Sequence, residues 1–157
     1  LDASEKNIKV ASLHANKSAL DIRYLANSAE SLAVTGETFD IVLALEIIEH
    51  VANLDVFYDA LAALVKPGGM LVLSTMNRTA KSYAMAIIGA ERVLRWLPRG
   101  THDWNKFVKP SEMARALSSR GLTIQESTGM VFNPLEWKFT LNSKDLDVNY
   151  LMVATQP

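Results

Sequence analysis

The fold is decided by the stretch FDIVLALEIIEHV, residues 39–51. Residues 39–45 form a nearly continuous apolar run, which predicts a buried strand of a parallel sheet. Glu46, Glu49 and His50 follow this run directly. Because ligands of open parallel sheets bind outside the carboxyl ends of the strands, the stretch predicts a site at the end of this strand.

Strand and helix candidates alternate along the rest of the chain. The further strand candidates are residues 22–26, 69–75, 122–127 and 148–154, and the helix candidates are residues 3–16, 54–65, 80–97 and 111–119, the last with Ser111 as its N-cap. Such alternation predicts an α/β fold with a largely parallel sheet. We expect residues 1–157 to form one domain.

Composition narrows the classes of function. The chain has 157 residues, is 49% hydrophobic and 21% charged, and carries a formal net charge of −1. These values are typical of one compact soluble domain, and the lack of a basic run argues against nucleic acid as a partner. The chain has no cysteine, so any metal would take oxygen and nitrogen ligands.

Glu46, Glu49 and His50 are spaced at i, i+3 and i+4. If the segment is helical, the three side chains share one face and could bind Mg²⁺, Mn²⁺ or Zn²⁺. In the alternative interpretation, the glutamates complement a helix N-terminus and His50 packs or caps. Spacing alone leaves both open.

Asp2 stands where a strand is expected to end and a helix to begin. Its carboxylate could accept both hydroxyl groups of a ribose, because it offers two acceptor oxygens. Alternatively, Asp2 is the N-cap of the helix that follows. Ser28 and Ala29 come after the strand candidate 22–26, so they are predicted to lie at the same edge of the sheet.

Three further stretches carry a family resemblance: STMNRTAKSYAMAIIGAE (residues 74–91), RGTHDWNKFVKP (residues 99–110) and DVNYL (residues 147–151). Together with FDIVLALEIIEHV, they resemble the ubiquinone-biosynthesis O-methyltransferase family of S-adenosylmethionine-dependent enzymes, and the resemblance spans the whole chain. It implies a Rossmann-like methyltransferase fold with strand order 3-2-1-4-5-7-6 and an antiparallel last strand. The implied substrate is a polyprenylated catechol, methylated on its hydroxyl groups.

The resemblance also implies positions for the cofactor. Asp2 matches the ribose-binding aspartate, and Leu45 matches a position that lines the S-adenosylmethionine site. Ser28 and Ala29 fall where adenine is held, although NSAE stands here in place of an acidic DAE-type run.

The same resemblance assigns Glu46, Glu49 and His50 to a divalent metal, with Mg²⁺ favoured. Such an ion would lower the pKa of the attacking hydroxyl and orient it. His102 is a candidate general base, with a packed structural histidine as the alternative.

Residues 78–107 are a family-specific insertion that combines basic, aromatic and aliphatic side chains. This composition is typical of a helix lying at a membrane surface, and the alternative is a lid that packs on its own core. The polyprenyl tail of the implied substrate favours the membrane. The expected location is the cytoplasm, peripheral on the inner face of the membrane in a bacterium, or the matrix side in a mitochondrion.

The chain begins LDASEKNIKVA, without a signal or transit peptide pattern. By the resemblance, we expect the first strand, its glycine-rich loop and most of the second strand to be absent. The first residues should then rearrange, another chain should be recruited, or residues 39–44 should form an exposed sheet edge. Two other functions stay open, a non-catalytic fragment or membrane-docking scaffold and a methyltransferase for another phenol.

Overall fold

A computed structural model describes residues 1–85, 87–88, 98, 100, 103–133 and 136–157. The strands are β1 Phe39–Leu45, β2 Val65–Met76, β3 Thr123–Asn133, β4 Lys138–Asn142 and β5 Asn149–Thr155. The α-helices are α1 Glu5–Lys17, α2 Ala29–Ala33, α3 Leu54–Leu64, α4 Ala80–Ser82 and α5 Pro110–Ser118, and Ile48–His50 and Trp104–Lys106 are 3₁₀ turns.

The five strands form one mixed sheet in the order β1-β2-β5-β3-β4. β1 and β2 are parallel, and α3 connects them. Parallel neighbours need such a crossover connection, which is usually a helix. β5 is inserted between β2 and β3 and runs antiparallel to both. The predicted α/β class and the antiparallel last strand are confirmed. The prediction of a largely parallel sheet is wrong, because only the β1–β2 pairing is parallel and the other three described pairings are antiparallel.

One face of the sheet carries the main core. Leu71 and Leu73 of β2 are completely buried, because alternate residues of the strand point to the face that α3 covers. Asn53 begins α3 as its N-cap, and its side chain accepts from the backbone amides of Asp55 and Val56. This places the helix directly after the segment that follows β1.

The predicted strand at residues 22–26 is wrong. The segment makes only an isolated parallel bridge between Ala26 and Asp2. Among the described residues, no strand pairs with the outer edge of β1, and Leu43 on this strand is 62% exposed. Of the three expected outcomes, the exposed edge is the one that the structure shows.

Two helix predictions need correction. α5 begins one residue earlier than expected, with Lys109 at its N-cap position and Pro110 in its first turn, where proline needs no hydrogen-bond donor. Ser111 is therefore inside the helix. Of the predicted helix 80–97, Ala80–Ser82 is α-helical and residues 83–85 and 87–88 are π-helical, while most of the remainder lies outside the described residues.

Two buried tyrosines provide a matched test of the core. The Tyr150 hydroxyl donates to the Val108 carbonyl oxygen at 2.9 Å. The Tyr58 hydroxyl has no hydrogen-bond partner among the described residues, and burial raises the pKa of Tyr58 to about 12. We predict that Tyr150→Phe lowers the free energy of unfolding by about 1–2 kcal/mol, and that Tyr58→Phe changes it by less than about 0.5 kcal/mol. Equal losses in urea unfolding would contradict this difference.

Candidate active site

The chain turns sharply where β1 ends. Glu46 follows Leu45 with φ of 52°, in the left-handed region that non-glycine residues seldom adopt. Its backbone amide donates to the Ser74 carbonyl oxygen at 3.1 Å, which continues the pairing with β2 for one more residue. The helix needed to place Glu46, Glu49 and His50 on one face is therefore absent, and only Ile48–His50 forms a single 3₁₀ turn.

The Glu46 carboxylate is held by two neighbouring strands. One of its oxygens accepts from the Ser74 hydroxyl at 2.6 Å. Both oxygens accept from the Asn149 side-chain amide at 3.0 Å. The carboxylate therefore fastens the end of β1 to β2 and β5.

The Glu49 carboxylate is directed to the other face of the sheet. Glu49 is only 6% exposed and accepts from the Thr75 hydroxyl at 2.7 Å. Ser74 and Thr75 are consecutive residues of β2, so their side chains point to opposite faces. The Glu46 carboxylate, which Ser74 binds, and the Glu49 carboxylate, which Thr75 binds, therefore lie on opposite faces of the sheet.

The predicted metal ligands are consequently not brought together. Across the described part of the chain, no group of three or more histidine and acidic side chains is placed to hold a metal ion. His50 is exposed and lines a cavity, whereas Glu46 and Glu49 are absent from the lining of that cavity.

A cavity of about 720 Å³ lies between the outer side of β1 and the N-terminal segments. All four side chains predicted for the cofactor line it: Asp2, Ser28, Ala29 and Leu45. They come from three segments of the chain that border this one cavity. The structure therefore assembles the predicted cofactor positions around one space.

Asp2 carries a negative charge at this rim. One carboxylate oxygen accepts from the Ser4 backbone amide at 2.7 Å, and the other accepts from the Asn7 side chain at 3.1 Å. These hydrogen bonds hold the pKa of Asp2 below its ordinary value, and the bond from the Ser4 amide has the largest effect. The N-cap of α1 is Ser4, so the interpretation of Asp2 as that N-cap is wrong.

The remaining cofactor positions combine polar and apolar groups. Ser28 is the N-cap of α2, and its hydroxyl accepts from the Ser31 amide at 3.2 Å. Ala29 is buried behind it, while Leu45 is 48% exposed. The cavity lining thus combines the Ser28 hydroxyl and the Asp2 carboxylate with the apolar side chains of Ala29 and Leu45.

Sequence reasoning missed the side chains that hold the glutamates. Ser74, Thr75 and Asn149 were not predicted as site residues, although the first two end an apolar strand with consecutive hydroxyls. These two consecutive hydroxyl groups at the carboxyl end of a strand could have identified Ser74 and Thr75 as site residues. His102, the predicted general base, lies outside the described residues.

Comparison with known proteins identifies the fold. A family model described as a methyltransferase domain matches residues 1–73. A possible histamine N-methyltransferase from Thermotoga maritima superimposes with a TM-score of 0.67 at 18% identity, over 99% of this chain and 71% of that one. Magnesium protoporphyrin IX methyltransferase from Synechocystis PCC 6803 gives 0.61 at 17% identity, over 99% and 61%. The fold is that of the Rossmann-like S-adenosylmethionine-dependent methyltransferases.

Relatives of higher identity share one name. The chain is 52% identical to a ubiquinone biosynthesis O-methyltransferase from Chelativorans sp. (strain BNC1), over 99% of this chain and 61% of the relative. It is 49% identical to the enzyme of the same name from Cereibacter sphaeroides, over 99% and 63%. The resemblance to the ubiquinone-biosynthesis O-methyltransferase family is confirmed, and the chain spans about three fifths of the length of these relatives.

The Thr75–Glu49 pair gives a direct test of the site's framework. Thr75→Val keeps the side-chain shape but leaves a buried carboxylate without its described donor. We predict a loss of about 2 kcal/mol in the free energy of unfolding, because hydrogen bonds to charged groups contribute about 1.5–3 kcal/mol.

Thr75→Ser is the matched control, since it retains the hydroxyl. Glu49→Gln combined with Thr75→Val should recover part of the loss, because a neutral amide is cheaper to bury than a carboxylate. Equal unfolding midpoints for Thr75→Val and Thr75→Ser in guanidinium chloride would refute the assigned role of Thr75.

Proposed function

We propose that this chain supplies cofactor-binding and substrate-facing parts of an S-adenosylmethionine-dependent O-methyltransferase that methylates catechol hydroxyls of polyprenylated precursors in ubiquinone synthesis. The observation that carries the proposal is the cavity on which Asp2, Ser28, Ala29 and Leu45 converge. The names of the relatives at about 50% identity support the reaction and the pathway.

The cavity residues fit the chemical groups of the cofactor. The carboxylate of Asp2 is ionised at neutral pH and can accept from ribose hydroxyls, since each of its oxygens has a further lone pair. The Ser28 hydroxyl and the apolar surface of Leu45 suit the polar edge and the flat face of adenine. When bound, S-adenosylmethionine supplies an electrophilic methyl group on its sulfonium.

The chain's own part in the reaction is to position and deprotonate the acceptor. A phenol has a pKa near 10, so its hydroxyl is a weak nucleophile until it loses a proton. His50 lies on the cavity wall and carries an imidazole that can accept this proton. Glu46, through Ser74 and Asn149, fixes the segment that leads to His50.

Assistance by a divalent metal was the sequence-based expectation for this site, and the described geometry does not fit it. The expectation rests on three oxygen or nitrogen ligands within five residues, Glu46 to His50. In the described geometry these residues do not fit a single ion, because the carboxylates are bound on opposite faces of the sheet. No step is therefore assigned to a metal, and methyl transfer that survives exhaustive chelation would exclude one.

Contact with the membrane is also proposed, because the substrate class carries a polyprenyl tail. None of the described helices is both long enough and apolar enough to span a bilayer. The described part of the insertion at residues 78–107 exposes Tyr83, Met85 and Ile88 by 39%, 45% and 42%. Side chains of this kind suit a segment that lies at a membrane surface.

We predict that Ile88→Ser combined with Trp96→Ser weakens binding to anionic liposomes in a flotation assay. Each change removes apolar area that would enter the interface. Val34→Ser is the control, because Val34 is 87% exposed and lies outside the insertion. Unchanged liposome binding in the double variant would favour the alternative that residues 78–107 are a lid packed on the protein's own core.

The cofactor role is tested by calorimetry in a chimaera that joins the unmatched part of the Chelativorans sp. relative to this chain. We predict that Asp2→Asn weakens S-adenosylmethionine binding about tenfold or more, because hydrogen bonds to a charged acceptor are lost. Asp40→Asn is the matched control. Asp40 also has a lowered pKa, caused chiefly by its hydrogen bond from Lys66, but it lies at the other end of β1.

The control variant should retain the affinity of the unsubstituted chimaera. Equal affinity in all three proteins would show that Asp2 does not bind the ribose. If both substitutions weakened binding equally, the loss of one negative charge would explain the effect, and a direct contact between Asp2 and the ribose would not be supported.

A further inference from the structure

The paired strands β3 and β4 extend beyond the carboxyl edge of the sheet. β5 is antiparallel to both β2 and β3, so β2 and β3 run in the same direction and end at the same edge. Thr75 of β2 and Gly129 of β3 are both opposite Tyr150, but β2 continues only to Met76 whereas β3 continues to Asn133. Beyond Gly129, β3 pairs with β4 alone.

One face of this extension is apolar and exposed. Phe139 and Leu141 of β4 are opposite Phe132 and Met130 of β3, so these four side chains point to one face. Phe139 is 60% exposed, Leu141 is 68% exposed, and Trp137 beside them is 69% exposed. The surface formed by these five side chains is called the β3–β4 face below. Exposed apolar patches that are contiguous mark interaction sites on soluble proteins.

The aromatic rings of the β3–β4 face hold one another in place. The ring centroid of Phe132 lies 5.3 Å from that of Trp137 and 5.1 Å from that of Phe139. Trp137 has a φ of 51°, which bulky residues seldom adopt and which is often found at functional sites. A ligand therefore meets a surface that is already ordered, and its binding costs little side-chain entropy.

The β3–β4 face is the face of the sheet on which the Glu46 carboxylate is bound. Ser74 of β2 is opposite Leu151 of β5, and Leu151 is opposite Thr128 of β3, so the three side chains share a face. Phe132 follows Thr128 after two full alternations of the strand and points the same way. Since Ser74 donates to Glu46, the apolar surface and the end of β1 are on one side of the sheet.

The distance between them sets the size of a ligand that contacts both. β2 and β5 lie between β1 and β3, which gives three strand spacings, or about 14 Å. In the proposed function, the catechol hydroxyl gives its proton to His50, which follows β1. An apolar chain attached to the catechol ring has to extend over this distance, so several isoprene units reach the β3–β4 face and a single unit does not.

The charges around the β3–β4 face favour an uncharged ligand. Residues 136–147 contain two basic side chains, Lys138 and Lys144, and three acidic ones, Glu136, Asp145 and Asp147. Lys138 is paired with Glu136. The segment therefore lacks the excess of basic side chains that attracts anionic lipid surfaces. Lysine in an edge strand such as β4 also disfavours pairing with the strand of another chain.

We propose that the β3–β4 face binds the apolar tail of the substrate while the catechol ring lies beside the end of β1. This inference rests on the proposed function, which supplies a substrate with a polyprenyl tail. The tail is uncharged and branched, and it removes exposed aromatic and leucine side chains from water when it binds. The β3–β4 face thereby determines specificity for long tails.

Binding of the tail is measured without any reaction, with residues 1–157 and a radiolabelled polyprenyl alcohol of several isoprene units. Phe139→Ser combined with Leu141→Ser should weaken this binding about tenfold or more, because apolar contact area is lost. The matched control is Val10→Ser combined with Leu13→Ser on α1, where the side chains are 60% and 62% exposed. The control should leave the affinity unchanged, and circular dichroism should show that both double variants keep the fold.

Methyl transfer by the chimaera separates the tail from the ring. Phe139→Ser combined with Leu141→Ser should raise KM about tenfold for a catechol with a tail of several isoprene units. It should leave kcat unchanged, because the reacting ring does not touch the β3–β4 face. For a catechol with a single isoprene unit, KM should equal that of the unsubstituted chimaera, since this tail is too short to reach.

An equal rise in KM for both catechols would overturn the proposal, because the substitutions would then act at the ring. So would equal weakening of tail binding by the control variant. Weaker binding to anionic liposomes with unchanged binding of the polyprenyl alcohol would assign the surface to a lipid bilayer instead, and a dimer of residues 1–157 that only the β4 substitutions dissociate would assign it to a second copy. Absence of methyl transfer to any catechol, with tail binding as predicted, would contradict the proposed function and leave the apolar site standing.

Discussion

The parallel pairing of β1 with β2 is the constraint on which the rest of the structure depends. It buries Leu71 and Leu73 beneath α3 and places the last residue of β1, Leu45, opposite Ser74. From that position the chain turns at Glu46, whose carboxylate accepts hydrogen bonds from Ser74 and Asn149. The left-handed backbone at Glu46 is a local cost, and the three hydrogen bonds of its carboxylate offset it.

The same pairing separates two chemical environments at the carboxyl end of β1. Asp2 and Ser28 line the cavity on the outer side, where the chain exposes a charged acceptor and a hydroxyl. Side chains of β2 and β5 bind the Glu46 carboxylate. A side chain of β2 binds the Glu49 carboxylate on the opposite face of the sheet. His50 lines the cavity, so the short segment after β1 connects the framework of the sheet with this cavity.

Local patterns predicted the elements whose own residues decide them. β1 was predicted with its bounds because six of its seven residues are apolar. The cofactor positions were assigned by the family resemblance and stay predictions, and the strand expected before Ser28 and Ala29 does not form. β4 was missed because all five of its residues are exposed, which gives no buried face to detect. The left-handed turn was missed because it depends on Asn149, a partner 103 residues away from Glu46. Contacts at that distance follow from the order of strands and cannot be inferred from spacing.

We propose above all that the cavity beside β1 binds a methyl donor for transfer to a catechol. The most direct measurement is transfer of isotopically labelled methyl from S-adenosylmethionine to a polyprenylated catechol by the chimaera described above. We expect labelled methyl on a catechol oxygen, and its loss when Asp2 is replaced by asparagine. Cofactor binding of undiminished affinity in the Asp2→Asn chimaera, with no label on the catechol oxygen in either protein, would contradict it.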